Sequence, residues 1–302
     1  MAAFTEGTPC WIDAQLSDVE AGKRFYGELF GWTFAQGDGP FFDAFSDGKL
    51  VAALAPKRDG RMPTVWGVYF AAADARALTR KIEEAGGQVI TSPTSLGAAG
   101  VSALATDPGG AVFGIWQAGE KPGFEKRGEP GSFCWTEVYT RDKDRVDSFY
   151  ESVFGFQGTD LPDSTVDFRM WSPAGTEPGD ETAVGGRSVL TEAFPAEMPG
   201  HFLIYFCVDD CDETAEAVTR LGGRVQAPPF DIPYGRIAVL TDNQGATFAV
   251  LAEPAGPPDA AEPGAQADRE EAGREAGPDD QKQGRRQGRR RERKRDRKAE
   301  TA

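Results

Sequence analysis

The chain has 302 residues, 39% of them hydrophobic and 11% aromatic, enough to bury one or two ordinary cores. Its formal net charge is −15, and the last 22 residues carry 11 Lys/Arg against 3 Asp/Glu, which leaves 22 basic and 45 acidic groups on the rest. So acidic a body argues against nucleic acid as its own ligand, since phosphate contacts need Lys and Arg, and no apolar run approaches the roughly 20 residues that span a bilayer.

The N-terminus, MAAFTEGTPCW, lacks a basic segment followed by an apolar one, so no signal peptide and a cytoplasmic location are expected. Residues 7–34 then read as strand, cap, helix and stop. In residues 11–16 (WIDAQL), Ile12, Ala14 and Leu16 form an apolar face that packs on a helix, and Trp11, Asp13 and Gln15 point the other way. Ser17 and Glu20 match a capping box, Phe25, Leu29 and Phe30 share one helical face, and Gly31 suits a left-handed terminator.

The same stretch returns without a gap at residues 131–158. Gly7, Cys10, Trp11, Asp18, Phe25, Tyr26, Phe30 and Gly31 recur as Gly131, Cys134, Trp135, Asp142, Phe149, Tyr150, Phe154 and Gly155. This is a tandem duplication. Within it lies a weaker four-fold pattern of strand, acidic residue, helix and glycine, at Asp18 and Gly31, Asp74 and Gly86, Asp142 and Gly155, and Asp210 and Gly222. Turn sequences TDPGG (106–110) and TDNQG (241–245) separate matching strand pairs. Each module is therefore expected to be β-α-β-β-β, and the fold α+β, with residues 1–118 and 131–253 as the duplicates. Residues 119–130 read as a polar linker. Beyond Pro254 aromatic residues vanish, so 254–302 is expected to be a disordered tail, acidic and then Arg-rich. The four cysteines show no metal spacing and read as reduced, packed thiols.

These features, with FYG-x-LFGW after the first helix, YF before Asp74 and Asp210, and TDPxGA before a final strand, resemble the vicinal oxygen chelate superfamily of glyoxalases, bleomycin-resistance proteins and extradiol dioxygenases. The resemblance covers about 7–253 and is closest to tandem glyoxalase-like proteins of actinobacteria. It implies two paired modules per duplicate, with sheets curled into a cup that holds the ligand. It also implies metal-ligand positions at Trp11 and Trp135, near Gly67 and Leu203, and at Gly114 and Ala249, none of which carries a ligating side chain. No metal and no cofactor are therefore expected.

The cup should instead present Trp11, Asp13 and Gln15, and in the duplicate Trp135, Glu137 and Tyr139. Tyr69 and Tyr205 are repeat equivalents able to donate hydroxyls inward. His201 shares strand parity with Leu203 and Tyr205, and Arg236 sits where the family closes a loop over its cup. Aromatic walls with one carboxylate suit a planar, partly polar ligand. A metal-independent binder of an aromatic or polyketide-like molecule is the leading expectation. Alternatives are an enzyme (hydroxylase, isomerase or lyase) using Asp13, Glu137 or His201 as acid or base, and an interaction protein acting through its basic tail. Partners expected are a small molecule, no membrane, and nucleic acid only weakly through the tail, with the chain a monomer or homodimer.

Overall fold

The computed structural model describes residues 4–161 and 166–254. The reading of 255–302 as a tail lies outside the described residues. Four modules follow one another. The first is β1 (Pro9–Leu16), α1 (Val19–Phe30), β2 (Thr33–Gln36), β3 (Phe42–Ser46) and β4 (Lys49–Pro56). The second is β5 (Trp66–Ala71), α2 (Ala75–Glu84), β6 (Gln88–Ser95), β7 (Gly100–Thr106) and β8 (Val112–Ala118). The second half repeats the order as β9 (Ser132–Thr140), α3 (Lys143–Phe154), β10 (Gln157–Asp160), β11 (Phe168–Ser172) and β12 (Gly185–Val189). It ends with β13 (His201–Cys207), α4 (Cys211–Arg220), β14 (Arg224–Ile232), β15 (Gly235–Thr241) and β16 (Thr247–Ala252). Each half makes one eight-stranded sheet, ordered β2-β3-β4-β1-β5-β8-β7-β6 and, in the same positions, β10-β11-β12-β9-β13-β16-β15-β14. The fold is α+β and tandemly duplicated.

The recurrent aspartates are the helix caps. Asp18, Asp74, Asp142 and Asp210 each stand at N-cap and accept from backbone N–H groups of the first turn, satisfying donors that have no intrahelical partner. The cap of α1 is thus Asp18 rather than Ser17. The Asp18 N–H donates to Gln244 of the other half at 2.7 Å, and Glu20, expected to reach back to the Ser17 N–H, pairs with Lys23. Gly31 and Gly155 end their helices in the left-handed conformation at φ 70° and 69°, where a β-carbon would be strained.

Strand parity decides what each sheet buries. Ile12, Ala14 and Leu16 are fully buried on the helix-bearing face, and the two halves meet through these faces. Tyr26 on α1 donates to Asp242 Oδ2 of the second half at 2.8 Å, and Tyr150 on α3 donates to Asp107 Oδ2 of the first at 3.2 Å. Around these bonds lie two aromatic clusters. In one, Phe206 packs on Phe30, Trp66 and Trp32; in the other, Phe70 packs on Phe154, Phe113 and Phe202. The repeat-identical residues Tyr26/Tyr150 and Phe30/Phe154 therefore hold the halves together and leave the opposite sheet faces free.

Residues 119–130, which join the two halves, are packed against the first. Phe124 and Lys126 are buried, Phe124 N–H donates to Cys10 O, and Lys126 Nζ donates to Ser46 Oγ, Asp47 Oδ2 and Pro130 O. No helix among the described residues is long and apolar enough to cross a membrane.

Candidate functional site

In the first half, β1 lies between β4 and β5, with Asp13 opposite Ala53 and Gly67, and Trp11 opposite Tyr69. Trp11, Asp13 and Tyr69 are all buried on the cup face. The Tyr69 hydroxyl donates to Asp13 Oδ2 at 2.8 Å. Burial pushes the Asp13 carboxyl up to about 6, with the Tyr69 bond pulling it partly back. Two residues along β1, Gln15 Oε1 is buried with no hydrogen-bond partner. Buried acceptors in native proteins almost always have a partner, ordered water included. A cavity of about 60 Å³ lies over Trp11, Asp13 and Tyr69. Lys121 lines it: the ammonium donates to Asp43 Oδ1 at 2.6 Å and sits 5.0 Å from the Trp11 ring centre, while Trp116 Nε1 donates to Lys121 O at 2.9 Å.

The second half builds the same face with more donors. Glu137 stands between Leu203 of β13 and Gly186 of β12, and Trp135 is opposite Tyr205. Trp135 Nε1 donates to Glu137 Oε1 at 3.3 Å. Burial raises the Glu137 carboxyl to about 7 against the opposing hydrogen bonds of Tyr139, Tyr205 and Trp135. The Tyr139 and Tyr205 hydroxyls are themselves raised, by burial first and by the nearby Glu137 charge second. Leu203, Tyr205, Ile237 and Ala249 form an apolar floor beneath them.

His201 lies opposite Tyr139 and stacks on its ring, 5.3 Å between centres and 7° between planes, and its Nδ1 is 3.0 Å from Pro199 O. It stands beside Tyr139 at the end of β13, two strand positions from Leu203, the partner of Glu137. Arg236 is not in the cup. It alternates with Ile237, which faces the floor, so its side chain emerges on the helix side and pairs with Asp212 at 2.6 Å and Asp231 at 2.9 Å. Its expected place over the cup is corrected on that ground.

The residues at the family's ligand positions do not fit a divalent ion. A β-carbon on Gly114 would stand 2.0 Å from the Tyr69 ring, so Tyr69 occupies the space a ligating side chain would need. Trp11, Gly67, Trp135, Leu203 and Ala249 offer no donor of the kind, and no group of three or more His, Cys, Asp or Glu suited to a metal occurs among the described residues.

A larger depression, about 480 Å³, lies outside the cups beside α3 and is lined by charges. Arg187, nearly fully buried, holds Asp147 at 3.1 Å and Asp167 at 2.6 Å, and Arg169 holds Asp160 at 2.8 Å. These charges are paired with one another, which marks a structural network. The cup faces carry the acceptors and raised carboxyls that a ligand would use. Sequence reading missed Lys121, placed in a linker, and the buried pairs Tyr26–Asp242 and Tyr150–Asp107. Their only signal was a tyrosine and an aspartate each repeated in both halves.

The sequence model of the Glyoxalase/Bleomycin resistance protein/Dioxygenase superfamily matches residues 11–115 and 132–250. The chain belongs to this superfamily. It is 38% identical over 257 residues to CFP32 of Mycobacterium tuberculosis, named as a glyoxylase, covering 82% of this chain and 95% of that one. It is also 38% identical over 279 residues to the anthracycline biosynthesis protein DnrV of Streptomyces peucetius, covering 86% and 98%. Among solved structures, the Mn(II)-bound glyoxalase of Novosphingobium aromaticivorans superposes with a TM-score of 0.58 at 16% identity, covering 83% of each chain. The 2,3-dioxygenase LapB of Pseudomonas sp. KL28 gives 0.55 at 12%, covering 85% of this chain and 96% of its own. At such identities the structural likeness is one of fold.

Proposed function

We propose that this protein binds a planar, hydroxyl-bearing aromatic molecule of the polyketide class in its cups, without a metal ion. One observation carries the reading: Trp11, Asp13 and Gln15 share one strand face, the Asp13 carboxyl beside Trp11 accepts from Tyr69, and the buried Gln15 Oε1 further along the strand has no partner. A ligand that brings hydroxyl donors to these acceptors and lays its ring on the indole would satisfy both needs. The name of DnrV as an anthracycline biosynthesis protein supports an aromatic polyketide as the ligand class. A cavity of about 60 Å³ holds little more than water, so a ring-sized ligand requires the side chains that line it to move apart. Calorimetric titration with a hydroxyanthraquinone is expected to saturate, and Gln15→Leu to weaken binding about tenfold through one lost hydrogen bond. Absence of any saturable heat would overturn the reading.

A second reading is favoured by Glu137 alone. A carboxyl raised to about 7 beside two tyrosine hydroxyls is suited to exchanging protons with a bound substrate near neutrality. Turnover that disappears in Glu137→Gln while binding persists would establish it. The third possibility, action through the basic tail, concerns residues outside those described.

A further inference from the structure

Across the first sheet, directly paired residues place Asp43, Ala53, Asp13 and Gly67 in one row on the cup face. The two carboxylates stand two strands apart, on the order of 10 Å at the usual strand spacing, and in the row only the Ala53 methyl lies between them. Trp11 is the neighbouring residue of β1 on that face, and its buried indole lines the cavity beside them. Among the described residues, the charged groups lining this cavity are Asp13, Asp38, Asp43 and Lys121, three acids against one base.

Lys121 is delivered to this place by its backbone. Its N–H donates to Ala99 O at 3.3 Å, its carbonyl accepts from Trp116 Nε1 at 2.9 Å, and the N–H groups of Gly119 and Glu120 donate to Ala99 O and Ala98 O. The four-carbon side chain is the part that can turn away. Its ammonium donates to Asp43 Oδ1 at 2.6 Å and lies 5.0 Å from the Trp11 ring centre, with only 21% of the Lys121 side chain and 17% of the Asp43 side chain exposed. A carboxylate on one side and an indole on the other form a box for a cation. The second half lacks it. There the same row reads Met170, Gly186, Glu137 and Leu203, so a thioether stands where the first half has Asp43.

We propose that the Asp43 carboxylate and the Trp11 ring are a subsite for a protonated amine on the ligand, which Lys121 occupies as an internal substitute. The proposal rests on the reading that the first cup takes a hydroxyl-bearing aromatic ring, and it narrows that ligand to an aminated one. The ring lies over Ala53 and against Trp11, a hydroxyl reaches Asp13, and the ligand's ammonium replaces that of Lys121 on Asp43. Exchanging one ammonium for another keeps Asp43 paired, so no largely buried charge is left alone. A neutral ligand that moved Lys121 aside would leave Asp43 without its cation, and an anionic ligand would meet three aspartates.

The test is calorimetric titration of the full-length protein at neutral pH with three forms of one hydroxyanthraquinone: bearing a primary aminoalkyl group, its N-acetyl derivative, and the matching carboxylate. The amine is expected to bind roughly tenfold more tightly than the N-acetyl form, and the carboxylate most weakly. Asp43→Asn is expected to remove the difference between the amine and N-acetyl forms. Lys121→Gln is expected to tighten the amine, because the tethered competitor is gone and Asp43 remains. Equal affinity for amine and N-acetyl forms in the wild type, a preference for the carboxylate, or weaker amine binding in Lys121→Gln would overturn the subsite and leave the aromatic-ring reading in place. Saturation by none of the three would overturn that reading, and the subsite with it.

Discussion

Asp13→Asn is expected to stabilise the protein by about 3 kcal/mol at pH 8 and by almost nothing near pH 3.5, because it removes a carboxyl held near 6 in the fold. The folded state holds the Asp13 proton more tightly than the unfolded chain, whose carboxyl titrates near 3.8. Unfolding therefore releases a proton between about pH 4 and 6, and stability falls as pH rises through that window. Above it the cost of a buried charge is present in full. Glu137, raised from 4.5 to about 7, behaves alike over a higher window, and Glu137→Gln should gain a similar amount at pH 8. In each variant the side-chain carbonyl still accepts from the neighbouring hydroxyl. A gain of 3 kcal/mol corresponds to a Tm increase of about 6–12 °C in a domain of this size. Thermal melts at the two pH values decide the matter; an unchanged Tm at pH 8, or an equal gain at both pH values, would contradict the burial argument. Carboxyls kept at such a cost are expected where a site serves a ligand instead of stability.

Phe206→Ala is expected to cost about 3–5 kcal/mol and to lower the melting of both halves together, because the cavity opens in a core that both share. Phe206 is fully buried, and its ring centre lies 5.0 Å from that of Phe30, 5.2 Å from Trp66 and 5.8 Å from Phe248. Phe30 and Trp66 belong to the first half, Phe206 and Phe248 to the second. The pairs Tyr26–Asp242 and Tyr150–Asp107 lock the same surface. Denaturant melts followed by separate probes in each half check this: coincident transitions that shift together are predicted, and a loss confined to the second half would show the duplicates to be independent.

The architecture was legible because its signals were local and repeated. Four recurrent aspartates, four glycine stops and strand parity in residues 11–16 each have one cheap physical solution, so the modules and the cup face followed. The cup's Asp13, Tyr69, Glu137, Tyr139 and Tyr205 fell on the expected face for the same reason. Arg236 failed because its loop position was weighed without its parity: Ile237 and Val239 alternate with it, and the face it shares with Ala238 and Leu240 is covered by α4. Lys121 was hidden because composition marks a polar segment without saying what it crosses. Asp107 and Asp242 were read as turn formers, which they are. Their second bond, across to a tyrosine more than 40 residues away, is a tertiary fact that no local pattern carries.

The most direct test of the central claim is native mass spectrometry with elemental analysis on full-length protein purified without added metal, before and after a hydroxyanthraquinone is added. The account predicts the mass of the chain alone, no stoichiometric divalent ion, and a ligand adduct that survives treatment with a chelator. One divalent ion per cup, whose removal abolishes the adduct, would contradict it.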